Sequence, residues 1–483
     1  MNSAEMIRTG MLLAFVLATG ASAQERTREQ TDFPREEFAA RRTAVFERIG
    51  RNAIAVVQGA ANVGAFARFR QSNEFYYLTG VEIPHAYLVL DGRNRRTSLY
   101  VPHRNEARER NEGKVLSAED APAIVASTGV DEVHGVELLA QHLSRPLIKT
   151  PVPQLYTPFS PAEGRVASRD EILTGTAGNV SDPWDGRPSR EGVFLNHLRT
   201  RFPQFALQDL SPILDDLRLV KSPREIALIR QASQLAGLAL LEAMRSTQAG
   251  VMEYQLDAAA RYVFQVNGAR DEGYASITAG GTNAWWGHYF HNDSALKDGD
   301  LVLMDYAPDY RYYTSDVTRM WPVNGRFSPA QRALYGFIAA YRDALVRHIR
   351  PGLTADEILD RAAADMATVL ARTTFGNANH ERAAREALKF RGHLSHPVGL
   401  TVHDVGTYRT GPLRPGQVFS IDPMLWVPEE RLYVRVEDVV VVTETGVENF
   451  SDFVPVAPDA LEAIVREPGI LQWRGATPLP LQR

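Results

Sequence analysis

The chain has no cysteine in 483 residues, which excludes a disulfide framework, a thiolate metal site and a thiol nucleophile. Any metal it binds takes oxygen and nitrogen ligands. It also lacks a basic excess: 58 acidic side chains oppose 53 basic ones, for a net charge of -5. A polyanionic partner such as nucleic acid is therefore not expected. No apolar run approaches the ~20 residues needed to cross a bilayer, and no tract is of low complexity. What remains is a globular composition, 44% hydrophobic and 23% charged, on a chain about three times the common domain size of ~150 residues. Two or more cores are expected.

Residues 11–18 (MLLAFVLA) form a short apolar run preceded by Arg8 and followed by Ala21-Ser22-Ala23. A basic flank, an apolar run and an Ala-x-Ala ending predict a secretory leader, residues 1–23, cleaved before Gln24. The mature chain is then expected in the periplasm or outside the cell, not in the membrane.

Downstream, residues 32–216 mix strand-like runs (53–58, 86–90 and 98–101) with helical stretches. A segment rich in Pro, Gly and Ser, 150–188, reads as an exposed excursion. A second domain, 217–460, opens at Ser222-Pro223-Arg224-Glu225, where serine N-cap, first-turn proline and a glutamate three residues on predict a helix start. Residues 252–267 repeat the helical spacing, Ser328-Pro329 starts a third helix, and Thr354 with Glu357 caps a fourth. Strand-rich stretches are expected at 300–322, 394–403, 418–427 and 432–443, and residues 461–483 as a tail. The whole reads as α+β, a mixed amino-terminal domain before a carboxy-terminal domain of two related halves.

Five residues in those stretches form one candidate set: Asp305, Asp316, His396, Asp422 and Glu437. Asp305 ends the apolar run Leu301-Val302-Leu303-Met304, Asp316 follows 11 residues later after an expected turn at Pro308-Asp309, and Glu437 sits in VRVEDVVVV. Carboxylates in apolar strands are costly unless paired or bound to a cation. Several converging on one place call for a divalent metal, two by their number, with a water nucleophile. Four carboxylates and one imidazole suit manganese or zinc rather than copper. Each also has an ordinary alternative, Asp316 pairing with Arg319 and Glu437 with Arg435. Asp293 and Asp309 read as turn acids without chemistry.

In context these residues resemble the pita-bread metallopeptidases, specifically aminopeptidase P and prolidase. The carrying segments are LMDYAPDYRYYTSDVTR, SHPVGLTVHDVG, FSIDPMLWV, VRVED and GGTNAWWGHYFHND, with RQSNEFYYLTGVEIPHAYLVL (70–90) resembling the amino-terminal domain of aminopeptidase P. The resemblance implies an amino-terminal domain followed by a pita-bread catalytic domain. It implies two divalent ions, manganese first and zinc or cobalt next, held by Asp305, Asp316, His396, Asp422 and Glu437, with Asp316 and Glu437 bridging. A metal-bridging hydroxide would attack the bond before proline in short proline-containing peptides. His288 and His403 would bind substrate and stabilise the oxyanion, and Arg435 would orient Glu437 or the substrate terminus. A homodimer or homotetramer is likewise implied.

Two positions depart from the family pattern. Asp422 stands where the family has glutamate, one methylene longer, and His393 stands one place after the family's histidine. His393 is either a replacement for it or a surface histidine. Three readings follow: an Xaa-Pro aminopeptidase, an Xaa-Pro dipeptidase, or a periplasmic peptide-binding protein with turnover weakened at Asp422. A metal-free hydrolase of the creatinase kind fits less well, because all five positions remain oxygen or nitrogen ligands.

Overall fold

A computed structural model describes residues 30–64, 66–149, 154–164, 167–409 and 411–474. The leader read at residues 1–23 lies outside the described residues. None of the described helices is long and apolar enough to cross a membrane.

The amino-terminal region is built on one six-stranded sheet of order β4-β3-β2-β1-β5-β6. Its strands are β1 (Ala53–Gln58), β2 (Tyr87–Asp91), β3 (Arg96–Val101), β4 (Glu132–Gly135), β5 (Gln154–Thr157) and β6 (Ala206–Asp209). The run Ala53 to Val57 is buried throughout, which is why it forms the central strand rather than an alternating edge. β2 returns antiparallel beside it, while β5 and β6 add in parallel. Helix α1 (Arg35–Ile49) buries Phe38, Val45 and Phe46 near this sheet.

The segment expected as an exposed excursion is partly structural. Residues 154–156 pair with β1, and Arg169–Ser181 form helix α2. Ser168 caps that helix in a box with Glu171, a local signal that the surrounding Pro and Gly obscured.

The carboxy-terminal domain pairs helices with small twisted sheets in two halves. In the first, α3 (Pro223–Arg245) and α4 (Glu253–Val266) accompany β7 (Asp271–Glu272), β8 (Ile277–Gly280), β9 (Leu301–Asp305), β10 (Pro308–Asp309) and β11 (Thr318–Pro322). In the second, α5 (Pro329–His348), α6 (Ala355–Arg372) and α7 (Ala378–Ala387) precede β12 (Val418–Ile421), β13 (Met424–Val427), β14 (Leu432–Arg435), β15 (Asp438–Val442) and β16 (Val447–Asn449). The boxes at Ser222, Ser328 and Thr354 form, each hydroxyl accepting a backbone N–H of the first turn. A further helix, α8 (Pro458–Val465), buries Leu461 and Val465 in the domain core, and α9 (Ile470–Arg474) follows it, so packing continues into the stretch read as a tail.

Three local expectations need correction. Residues 394–403 form no strand; Pro397 bridges Phe419 singly, and Pro397 and Gly399 interrupt any ladder. A Cβ on Gly399 would lie 2.2 Å from an Asp404 carboxylate oxygen, so the loop closes on its own acid. Pro308-Asp309 is not the turn but the strand β10 paired with β7; the reversal comes at Arg311 and Tyr312, both with positive φ. Asp309 is not an exposed turn acid: it is buried and accepts from Arg70 Nε at 2.9 Å. Arg70 also reaches the carbonyls of Tyr312 and Leu400, while Tyr76 stacks on Tyr312. These contacts, with a shared apolar cluster including Phe75, Leu228, Val398 and Val439, bind the amino-terminal region to the carboxy-terminal domain.

Candidate metal centre

Strand register gathers the acids. Thr318 of β11 stands opposite Asp305 of β9 and, across an isolated antiparallel bridge, opposite Glu437. Directly paired residues project to the same face of a sheet. Asp305, Thr318 and Glu437 therefore share one face, and Asp316, two residues before Thr318, shares it too. The bridge is reciprocal: each of Thr318 and Glu437 donates its N–H to the other's carbonyl, at 3.2 and 3.1 Å. Glu437 thus sits in the gap between β14 and β15 rather than within a strand, and Thr318 Oγ1 donates to its Oε2 at 2.9 Å.

The other two members are placed by β12. Ser420 N–H donates to the His396 carbonyl at 2.9 Å, fixing the loop that carries the imidazole, and Asp422 follows the last residue of the strand. His396 Nε2 lies 3.1 Å from Asp316 Oδ2 and 4.0 Å from Glu437 Oε1. Ligand atoms of Asp316, His396 and Glu437 all fall within 4.8 Å of one another. Asp305 and Asp422 flank that trio, tied to it by two groups. Tyr274 places one hydroxyl 2.6 Å from Asp305 Oδ1 and 2.9 Å from Asp316 Oδ1. Arg435 donates to Asp305, with Glu437 at 3.7 Å and Asp422 at 3.8 Å. Its closest carboxylate is Asp305 rather than Glu437, because β14 carries the guanidinium past its neighbour in sequence.

The electrostatics are those of a cation site. Burial first, and then the neighbouring carboxylates, push Asp316, Glu437 and Asp422 well above the usual carboxylate range. Burial, reinforced by nearby His403, pushes His396 down to about 3, so its imidazole is neutral and able to ligate. Asp422 Oδ1 is buried and accepts no hydrogen bond. An orphaned buried oxygen beside three convergent oxygen and nitrogen donors fits a divalent cation, which a neutral packing role does not explain.

His403 and His288 stand beside this cradle. The His403 ring lies 4.2 Å from that of His396 and 6.3 Å from that of His288. Burial lowers His288. For His403 burial opposes the charge, but the Asp170 carboxylate outweighs it and raises the imidazole above its ordinary range. The mouth is a cavity of about 520 Å³ lined by Arg169, Asp170, His396, His403 and Arg409. It meets, at His393 and Ser395, an apolar cavity of about 470 Å³ lined by Phe390, Asp422, Met424 and Trp426. His393 is thus half-buried between the two, with Nδ1 unpaired, and is not a surface histidine.

Sequence reasoning passed over Tyr274, Thr318 and Asp170. Only Thr318 had a signal, its place two residues from Asp316 in the strand that Asp316 approaches.

Metal binding at raised carboxylates must displace protons. A group whose folded pKa is raised stabilises the fold at low pH and loses that contribution as pH rises through the folded value. The metal-free protein is therefore expected to lose stability as pH rises above the ordinary carboxylate range, while the stabilisation by added manganese grows. Melting temperatures with chelator and with manganese across pH 5 to 8 check this; a metal-induced shift that shrinks with pH would contradict it.

Two domains, with carboxylates and an imidazole buried at the junction of two half-sheets, define a metallopeptidase. The profile of metallopeptidase family M24 matches residues 227–444, and that of the aminopeptidase P amino-terminal domain matches residues 38–154. The Xaa-Pro aminopeptidase of Escherichia coli K12 is 31% identical over 456 residues, spanning 90% of this chain and 98% of that protein. Among solved structures, proline aminopeptidase P II from Yersinia pestis aligns with a TM-score of 0.72 at 31% identity, covering 90% of this chain and 99% of its own. Aminopeptidase P from E. coli with the inhibitor Pro-Leu aligns at 0.71 and 29% identity, with 90% and 99% covered. The chain belongs to the aminopeptidase P family of M24 metallopeptidases, with the α+β pita-bread fold and amino-terminal domain of that family.

Proposed function

We propose that the chain is an exported, dinuclear-metal aminopeptidase that removes the residue preceding proline from the amino terminus of short peptides. The observation that carries this reading is the meeting of Asp316, His396 and Glu437 within one ligand sphere, flanked by Asp305 and Asp422. The 31% identity to a protein named Xaa-Pro aminopeptidase supports the substrate class. Export rests on the apolar run and Ala-x-Ala ending of residues 1–23. Manganese and a homo-oligomer belong to the same proposal.

Asp305, Asp316, His396, Asp422 and Glu437 would hold the cations. Divalent cations there supply Lewis-acid polarisation of the scissile carbonyl and lower the pKa of a water nucleophile. The chain's own groups do the rest. Tyr274 holds Asp305 and Asp316 in place through its hydroxyl, and Thr318 fixes Glu437. His403, raised towards its charged form, donates to the carbonyl oxygen as negative charge develops on it. His288, neutral, is left to hydrogen-bond the peptide. The amino-terminal region contributes Arg169 and Asp170 to the lining of the mouth, which favours short peptides as substrates.

Arg409, lining the same mouth, keeps a dipeptidase reading in play, since a guanidinium there could take a free carboxylate. Metal analysis of the purified protein and release assays on Xaa-Pro dipeptides and longer Xaa-Pro peptides, with and without manganese, test both. Cleavage of the longer peptides is the expected result. Cleavage of dipeptides alone would replace the reading with prolidase, and binding without cleavage under any metal would overturn the enzymatic one. The apolar cavity beside Asp422 leaves room for one more methylene. Asp422→Glu is therefore expected to hold or raise turnover, by up to about tenfold; complete loss would show that the shorter acid is required.

A further inference from the structure

The segment 167–171 belongs to the amino-terminal region, yet it makes two contacts with one residue of the catalytic loop. His403 donates its backbone N–H to Ser168 Oγ at 3.1 Å, and its ring Nδ1 lies 2.9 Å from Asp170 Oδ2. The two contacts fix both ends of the same residue. With Nδ1 engaged by the carboxylate, Nε2 is the ring nitrogen left for a substrate.

The segment is itself anchored. Arg169, between the two contacting residues, binds Asp215 at 2.6 Å and Glu74 at 2.7 Å. The neighbouring Arg218 ties Glu163 at 2.6 Å to Asp404, the residue after His403, and Lys221 holds the other Asp404 oxygen at 3.0 Å. Apart from the partly exposed Asp215 these arginines and acids are buried, so the segment and the loop are held in register by a network rather than by one surface pair. Asp170 differs from them: its side chain is 62% exposed. An exposed pair of this kind contributes little to stability. Structural need does not account for an acid placed on this imidazole.

We propose that Asp170 is a positioning residue for the reaction, fixing the orientation of the His403 ring from across the domain boundary, with Nε2 turned to the substrate. The stretch 150–188 thereby becomes part of the active site rather than an appendage to it. This inference rests on the role given to His403 above.

Asp170→Ala and Asp170→Asn are expected to lower kcat about tenfold with KM nearly unchanged, while Asp170→Glu, which keeps a carboxylate, retains most of the wild-type rate. Melting temperature should not move, which separates this role from a structural one. In a His403→Ala background the Asp170→Ala change is expected to cost nothing further, since the acid acts only through that ring. A second readout needs neither metal nor turnover. Ring ¹⁵N spectra of the metal-free protein should show His403 protonated at Nδ1 in the wild type and altered in Asp170→Ala. Unchanged kcat in Asp170→Ala, or an equal loss in the His403→Ala background, would overturn the proposal, as would an unaltered ring spectrum. If the wild type cleaves no Xaa-Pro peptide, the functional reading falls, and the ring spectrum still decides whether Asp170 holds His403.

Discussion

Asp316→Ala is expected to lower peptidase turnover by ~10³ or more, with loss of bound metal and an intact fold. Both of its oxygens are engaged within the set: Oδ2 faces His396 Nε2 at 3.1 Å, and Oδ1 shares the Tyr274 hydroxyl with Asp305. Removing it leaves His396 and Glu437 without the ligand between them. The effect on stability has the opposite sign without metal. Burial and the Asp305 carboxylate hold Asp316 well above the usual range, so in the metal-free protein the group is an electrostatic burden at neutral pH. The metal-free variant should therefore unfold no earlier than the wild type. Its melting temperature should, however, no longer respond to manganese, whereas a ligand at ~1,000 times its Kd stabilises the wild type by about 4 kcal/mol. Metal content by elemental analysis, melting temperature with and without manganese, and the release assay check the three parts. Turnover within about tenfold of wild type would remove Asp316 from the ligand set.

How much of this was legible in the sequence depends on the range of the interaction that fixes each part. Helix starts at Ser222, Ser328 and Thr354 could be read because a capping box is closed within four residues. The acids Asp305, Asp316 and Glu437 could be singled out because apolar neighbours made them anomalous, and the family resemblance supplied their grouping. The failures lie where partners are far apart. Asp309 reads as a turn acid until Arg70, 239 residues away, is beside it. The loop 394–403 carries alternating apolar residues, but its backbone is spent on Ser420, Val418 and Asp404 rather than on a ladder. Arg435 lies two residues from Glu437 and yet serves Asp305 first, because the strand pairing across β11 decides which carboxylate the fork meets. The stretch 150–188 could be neither placed nor given a function, since Asp170 meets His403 across 233 residues and no periodicity announces such a contact.

Arg319→Met is expected to destabilise the catalytic domain by about 3 to 5 kcal/mol, the usual result of removing one partner from a buried ionic network. Arg319 is fully buried on β11, beside Thr318. Its guanidinium donates to Asp438 at 2.7 Å and to the carbonyls of Glu437 at 2.8 Å, Thr318 at 2.9 Å, Val454 at 3.1 Å and Pro455 at 3.2 Å. Two of those carbonyls belong to the very bridge that aligns Glu437 with Thr318. Methionine fills much of the volume but leaves these acceptors unsatisfied, while Asp438 keeps only Arg342 and Ser451. The bridge should then loosen, and Glu437 with it. Metal affinity should fall along with the urea midpoint although no ligand has been touched. Arg319→Lys retains the charge but not the planar fork that reaches several acceptors at once, so it should recover only part of the loss. A urea midpoint for Arg319→Met corresponding to less than about 1 kcal/mol would show that the two half-sheets are joined by packing alone, and not through this arginine.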